Sequence, residues 1–179
     1  MNFLDFEPAN PRYIYSSGYG EAKVKSIYGG PVRLICHAPA EATWNMATDE
    51  VLAQSVSDGG KPVIRIYGFS STTVSIGRFQ SITDLNERRL KEDGINLVRR
   101  PTGGKAVLHS TEVTYSVALG REHLRPFSKR RVYHFVGDLL IDALTVLGVH
   151  CGRNISQIGS PSDANCFGAV GEYEIVGQF

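Results

Sequence analysis

The segment with the densest chemical potential is Val98-Arg99-Arg100-Pro101-Thr102-Gly103-Gly104-Lys105-Ala106-Val107-Leu108-His109. Two arginines close a β-rich run, a glycine pair makes a tight turn, and a second β-rich run follows. Glycines at such a turn let backbone approach a ligand closely and leave N–H groups free for acyl or phosphate oxygens. Arg100 carries a planar fork of donors suited to a carboxylate or a phosphate. The same residues also suit a plain glycine turn between two strands with an exposed charge pair, and the local pattern leaves both readings open. A Walker phosphate loop is excluded, because Arg99 stands where its first glycine belongs and Ala106 where its Ser or Thr belongs.

The three cysteines are the other reactive side chains. An odd number with no framework spacing points to a reducing compartment rather than to disulfides. Cys36 lies in an apolar run and reads as core. Cys151 follows His150, but no further ligands have the spacing of a metal site, so no metal is expected. Cys166, followed by Phe167, reads by itself as a buried structural thiol, the usual state of a lone cysteine.

Elements of both kinds are needed to hold these groups. Val32 to Cys36, Val63 to Tyr67, Thr73 to Ile76 and Asn96 to Arg99 read as strands. Glu112 to Leu119 alternates, with Val113, Tyr115, Val117 and Leu119 on one face and Thr114, Ser116 and Ala118 on the other. Thr43 to about Ser55 is predicted helical with Trp44, Ala47, Val51 and Leu52 on its apolar face. Asn86 to Asp93 is a short polar helix closed by Gly94, which takes a left-handed cap without a Cβ penalty. Val132 to Leu147 is the strongest helix, with Val132, Val136, Leu139, Leu140, Ala143, Leu144 and Leu147 as its apolar stripe and Gly148 as its stop. The tail is loop-like until a brief β run at Tyr173 to Val176. Helices that do not alternate strictly with strands imply an α+β fold with a mixed, largely antiparallel sheet. Residues 1–30, rich in Tyr, Gly, Pro and Ser, read as an N-terminal extension to a domain of residues 31–179.

The chain has 179 residues, enough for one domain with a core of its own. A net charge of +1 gives no electrostatic case for nucleic acid or an anionic membrane. The basic run Lys129-Arg130-Arg131 is expected to be a solvated helix start. No stretch approaches the roughly 20 apolar residues of a membrane span, and Met1 to Glu7 lacks the pattern of a signal peptide. The expected compartment is the cytoplasm.

The run from Arg99 to His109, followed by Thr114-Tyr115-Ser116-Val117, resembles the signature of the lipoate/biotin protein ligase and octanoyltransferase superfamily. Asn45-Met46-Ala47-Thr48-Asp49-Glu50, Ile64-Arg65-Ile66-Tyr67 and Ser75-Ile76-Gly77-Arg78-Phe79-Gln80 are similar to its further landmarks, in the family order. The resemblance spans roughly Val32 to Val176 and implies the catalytic-domain fold of that superfamily. Lys105 stands where the ligases carry a third glycine, and Ser110 where they carry an acidic residue. Both departures favour the octanoyltransferases that work through a cysteine thioester over the ATP-dependent lipoate ligases, which remain the alternative.

In that subfamily the nucleophile sits in a Cys-Phe pair several residues before a Tyr-Glu, and the resemblance therefore assigns the role to Cys166, ahead of Tyr173-Glu174. It implies transfer of octanoyl from acyl carrier protein to Cys166, then to a lysine of a lipoyl carrier protein such as the glycine-cleavage H protein. No cofactor is implied; ATP enters only under the ligase reading. Substrate contacts are expected at Gly77, Arg100, Gly103, Gly104, Lys105, Ala106, Val107, His109 and Tyr115. An ordinary hydrogen-bonded role for His109 stays open. Val74, Ile76, Val107, Tyr115 and Val117 are candidate walls for the acyl chain, whose burial contributes about 0.8 kcal/mol per methylene; core packing accounts for them equally. The family's activating lysine falls beyond Phe179, so the C-terminal part of the catalytic domain is expected to lie outside these residues. A non-catalytic acyl- or carrier-binding module is the reading that this leaves beside the enzyme.

Overall fold

The computed structural model describes residues 30–153 and 174–177. Eight strands and three α-helices are seen there, besides two short 3-10 turns: β1 (Arg33–Cys36), α1 (Ala42–Ser57), β2 (Val63–Tyr67), β3 (Thr73–Ile76), α2 (Glu87–Glu92), β4 (Asn96–Arg99), β5 (Val107–His109), β6 (Thr114–Ala118), α3 (Lys129–Val146), β7 (Cys151–Arg153) and β8 (Ile175–Gly177). The strands form two three-stranded sheets, β1-β2-β6 and β4-β3-β5, and an antiparallel β7-β8 pair. Each larger sheet combines one parallel pair with one antiparallel pair. The fold is α+β, as expected, with its strands divided among separate sheets rather than gathered into one.

Helix α1 touches both larger sheets, through β6 on one side and β4 on the other. The face it buries is not the expected one. Trp44 and Val51 are exposed, whereas Ala42, Asn45, Met46 and Val56 are buried. The apolar spacing misleads because the helix docks by polar side chains: Asn45 Nδ2 donates to the carbonyls of Ala40 and Gly68 at 3.2 and 2.9 Å. A small cluster of Ala42, Met46, Tyr67 and Phe69, with Val98 against it, fills the space around that face. Full burial of side chains of this size contributes about 1.5–3 kcal/mol each.

Among the described residues, the face of the β1-β2-β6 sheet away from α1 is open. Cys36, Ile66 and Tyr115 form one row across β1, β2 and β6. All three are exposed, so Cys36 is a surface thiol and not the core residue its apolar neighbours suggested. The helix α2 covers the second sheet. Val74, Ile76 and Ala106 are buried there against Leu85, Leu90, Ile95 and Leu97.

The expected caps and stops of α2 and α3 hold. Asn86 Oδ1 accepts from the Arg89 N–H at 3.0 Å to start α2, and Gly94 follows it at φ +66°. Ser128 caps α3, which begins with the basic run, and Gly148 at φ +79° follows its end. The α3 stripe is less complete than the periodicity suggests: Leu147 is exposed, and Gly137 is the buried residue of that helix. Among the described residues no helix is long and apolar enough to cross a membrane. The expected extension of residues 1–30 lies, except for Gly30, outside the described residues.

Candidate active site

Two loops meet where β3 and β4 end. Gly77 to Gln80 continues β3, and Pro101 to Lys105 continues β4. Their backbones are joined by Arg78 N–H to Thr102 C=O at 2.8 Å and by Arg100 N–H to Ile76 C=O at 3.0 Å. The approach is so close that a Cβ on Gly77 would stand 1.9 Å from the Gly104 carbonyl oxygen. Gly104 itself has φ +99°, a conformation that side chains rarely adopt. Gly77 is therefore a glycine because of this close approach and Gly104 because of its backbone conformation, whereas a Cβ on Gly103 would meet nothing within 4 Å.

The paired arginines divide the two loops between them. Arg99 Nη1 donates to the carbonyls of Gly77, Arg78 and Gln80 at 2.8, 3.2 and 2.8 Å. Arg100 Nη2 donates to those of Gly103 and Lys105 at 2.8 and 2.7 Å, and its Nη1 to the Ser75 carbonyl at 2.9 Å. A guanidinium presents five donors in a fixed plane, which lets one side chain hold several carbonyls at once. The donors read from sequence as ligand-facing thus shape the turn itself. An open cleft of about 600 Å³ runs between these loops and the exposed side of α1, lined by Arg78, Arg99, Arg100, Pro101, Glu50 and Gln54.

Gly77, Arg100, Gly103, Gly104 and Lys105 are brought together in this way. Ala106 is buried in the cluster beneath α2, and Val107 pairs with Ser75. Val74 and Ile76 lie in the same core, so packing accounts for both. His109 is buried, stacked on Phe69 with ring centres 4.1 Å apart, and bonded to Ser75 and Glu112. Tyr115 belongs to the other sheet; although the residue is 44% exposed, partial burial of the side chain pushes its hydroxyl above the ordinary tyrosine range. Cys166 and Tyr173 lie outside the described residues. Among the described residues, no group of three His, Cys, Asp or Glu side chains is placed to hold a metal ion.

A second polar network escaped the sequence reading. Arg65 is wholly buried beneath α1. It donates to Asp49 Oδ1 at 2.8 Å, Asn45 Oδ1 at 2.6 Å, the Asn45 carbonyl at 3.0 Å and His37 Nδ1 at 3.0 Å. Asp49 also accepts from Tyr67 OH at 2.9 Å and Ser116 Oγ at 2.7 Å. Burial, then the Asp49 carboxylate, pushes the Tyr67 hydroxyl well above its usual range. The signal was present in two forms: Asn45 and Asp49 stand four apart on one helix, and Arg65 sits in the middle of an apolar strand.

The comparisons with known proteins agree with this architecture. Residues 41–163 match the family model described as the lipoyl protein ligase A/B catalytic domain. The chain belongs to this family. It is 37% identical over 153 residues to the octanoyltransferase LipM of Kyrpidia tusciae, covering 80% of this chain and 56% of that protein. Identity to the octanoyltransferase LipM of Bacillus subtilis is 33% over 154 residues, with 80% and 55% covered. Among solved structures, a putative lipoate protein ligase from T. acidophilum with bound lipoic acid superposes with a TM-score of 0.59 at 27% identity, covering 74% of this chain and 52% of that one. A bi-partite lipoate protein ligase from Thermoplasma acidophilum, studied with its E2 lipoyl domain, gives 0.60 at 26% identity, covering 73% and 51%. The chain therefore spans about half the length of the curated relatives it matches.

Proposed function

We propose that this family member serves octanoyl transfer in lipoate biosynthesis. The observation that carries the reading is the 33–37% identity, over about four-fifths of the chain, to relatives named octanoyltransferase. The turn supports it: Lys105 and Ser110 depart from the pattern of the ATP-dependent ligases. In the proposed cycle the Cys166 thiolate attacks the thioester carbonyl of octanoyl–acyl carrier protein and expels the carrier thiol. A lysine amine of a lipoyl carrier protein, such as the glycine-cleavage H protein, then attacks the acyl-enzyme. An amide forms, and the cysteine leaves as thiolate. Covalent catalysis of this kind divides one difficult step into two. The turn at Gly103, Gly104 and Lys105 would offer backbone N–H groups to the acyl oxygen, beside Gly77. The acyl carrier protein as donor, the carrier as acceptor and the cytoplasm as compartment all belong to this proposal.

The test is intact-protein mass after incubation with octanoyl–acyl carrier protein, in parallel with Cys166→Ser. A hydroxylamine-labile octanoyl adduct on the wild type alone is the expected result. Its absence, together with octanoate- and ATP-dependent adenylate formation, would replace this reading by the ligase one.

A further inference from the structure

Three polar side chains form a row that starts on the β4-β3-β5 sheet. Ser75 is on β3, His109 on β5, and Glu112 follows in the connection to β6. His109 Nε2 is 2.8 Å from Ser75 Oγ, and His109 Nδ1 is 2.7 Å from Glu112 Oε1. The spacing is that of a nucleophile, base and carboxylate. Ser75, however, is only 1% exposed, and its oxygen already accepts from Arg100 Nη1 at 3.3 Å. Buried to that degree, Ser75 is placed to act on its protein neighbours.

We infer that Glu112 and His109 are positioning residues for the glycine turn, acting in series through Ser75 and Arg100. With a neutral imidazole, one set of donor and acceptor roles fits both ends. A carboxylate only accepts, so His109 carries its proton on Nδ1 and offers Nε2 as an acceptor. A guanidinium only donates, so Ser75 Oγ accepts from Arg100, which leaves its own hydrogen for Nε2 of the neutral ring. Every member has one consistent orientation, and such chains polarise one another. Glu112 is anchored in turn by the Ser110 N–H at 2.6 Å and Thr114 Oγ1 at 3.0 Å. At the far end Arg100 holds the carbonyls of Gly103 and Lys105, which orients the N–H groups of the turn. The carboxylate thus governs the cradle from the opposite end of β5. The inference deepens the octanoyl-transfer reading and rests on it only for what the cradle holds.

The experiment is side-chain nitrogen NMR of histidine with backbone amide exchange, on the full chain, for wild type, Glu112→Gln, Ser75→Ala and the double variant. Wild type should show His109 protonated on Nδ1 at neutral pH. Glu112→Gln should shift that tautomer and speed exchange at Gly103 and Gly104 by about fivefold, the loss of roughly one net hydrogen bond. Ser75→Ala should speed the same amides while leaving the tautomer unchanged. The double variant should be no faster than the faster single one, because both cut one series. An Nε2-protonated His109 in the wild type, turn amides indifferent to Glu112→Gln, or effects that multiply in the double variant would each overturn the inference. None of these readouts needs acyl transfer, so a failed transfer assay and a failed relay are told apart.

Discussion

Arg65 and Arg100 use the same side chain for opposite ends. Arg65 is sealed under α1, and its acceptors come from residues 16 to 28 positions away. Its ion pair with Asp49 joins a helix to a strand at 0% and 11% side-chain exposure. Two of Arg100's acceptors, the carbonyls of Gly103 and Lys105, lie three and five residues ahead in a turn that water reaches. One arginine fixes how elements pack, and the other fixes the path of a loop. Removing a partner from the first strands a buried charge, whereas loosening the second leaves carbonyls that water can satisfy.

The contrast can be broken first at Asp49. Asp49→Ala should lower unfolding free energy by about 3–5 kcal/mol, the range for orphaning one member of a buried pair. Urea denaturation measures it, and a loss below about 1 kcal/mol would make Arg65 no different from a surface pair. Next in size is Gly77→Ala. The added Cβ must displace the Gly104 carbonyl, at an overpacking cost of about 1–3 kcal/mol. The largest amide shifts should fall at Gly103 to Lys105, and shifts centred under α1 instead would contradict the account of the loops.

Arg100→Lys comes third. An ammonium cannot hold the Ser75, Gly103 and Lys105 carbonyls in one plane. Global stability should fall by only about 1 kcal/mol, while proteolysis within 101–105 accelerates; a loss matching that of Asp49→Ala would erase the distinction.

The smallest effect concerns pH. Burial pulls the Glu112 carboxyl up, but hydrogen bonds from the backbone N–H groups of Ser110 and Glu112 and from His109 and Thr114 outweigh it, so it titrates below the ordinary 4.5. The folded state then binds this proton less readily than the unfolded chain. Its stabilisation is full above the unfolded value, shrinks as pH falls through the lowered folded value, and is gone below both. Glu112→Gln should flatten that part of the stability–pH curve, and an unchanged acid limb would show that the carboxylate is not held as described.

Much of the fold was legible because local chemistry and global structure agreed. Gly94 and Gly148 stop helices at the expected places with positive φ, and Asn86 caps α2. Sequence periodicity failed at α1, where Trp44 and Val51 share a face but Asn45 and Asp49 face the protein. Apolar spacing reports a core only when the core is apolar, and here a buried guanidinium occupies its centre. Cys36 failed for a related reason: β1 is an edge strand, and alternation cannot say which of its faces is covered.

The sequence by itself determined the family, the positions of most strands and helices, and the glycine turn with its two arginines, because these depend on residue type and short spacing. Only the tertiary structure decided what the arginines hold, why Gly77 and Gly104 need to be glycines, and that Ser75, His109, Glu112 and Arg100 share one chain of hydrogen bonds. Those relations join residues up to 34 positions apart. They depend on the register of β3 against β5 and on two loops meeting at backbone distance, which no short-range pattern encodes.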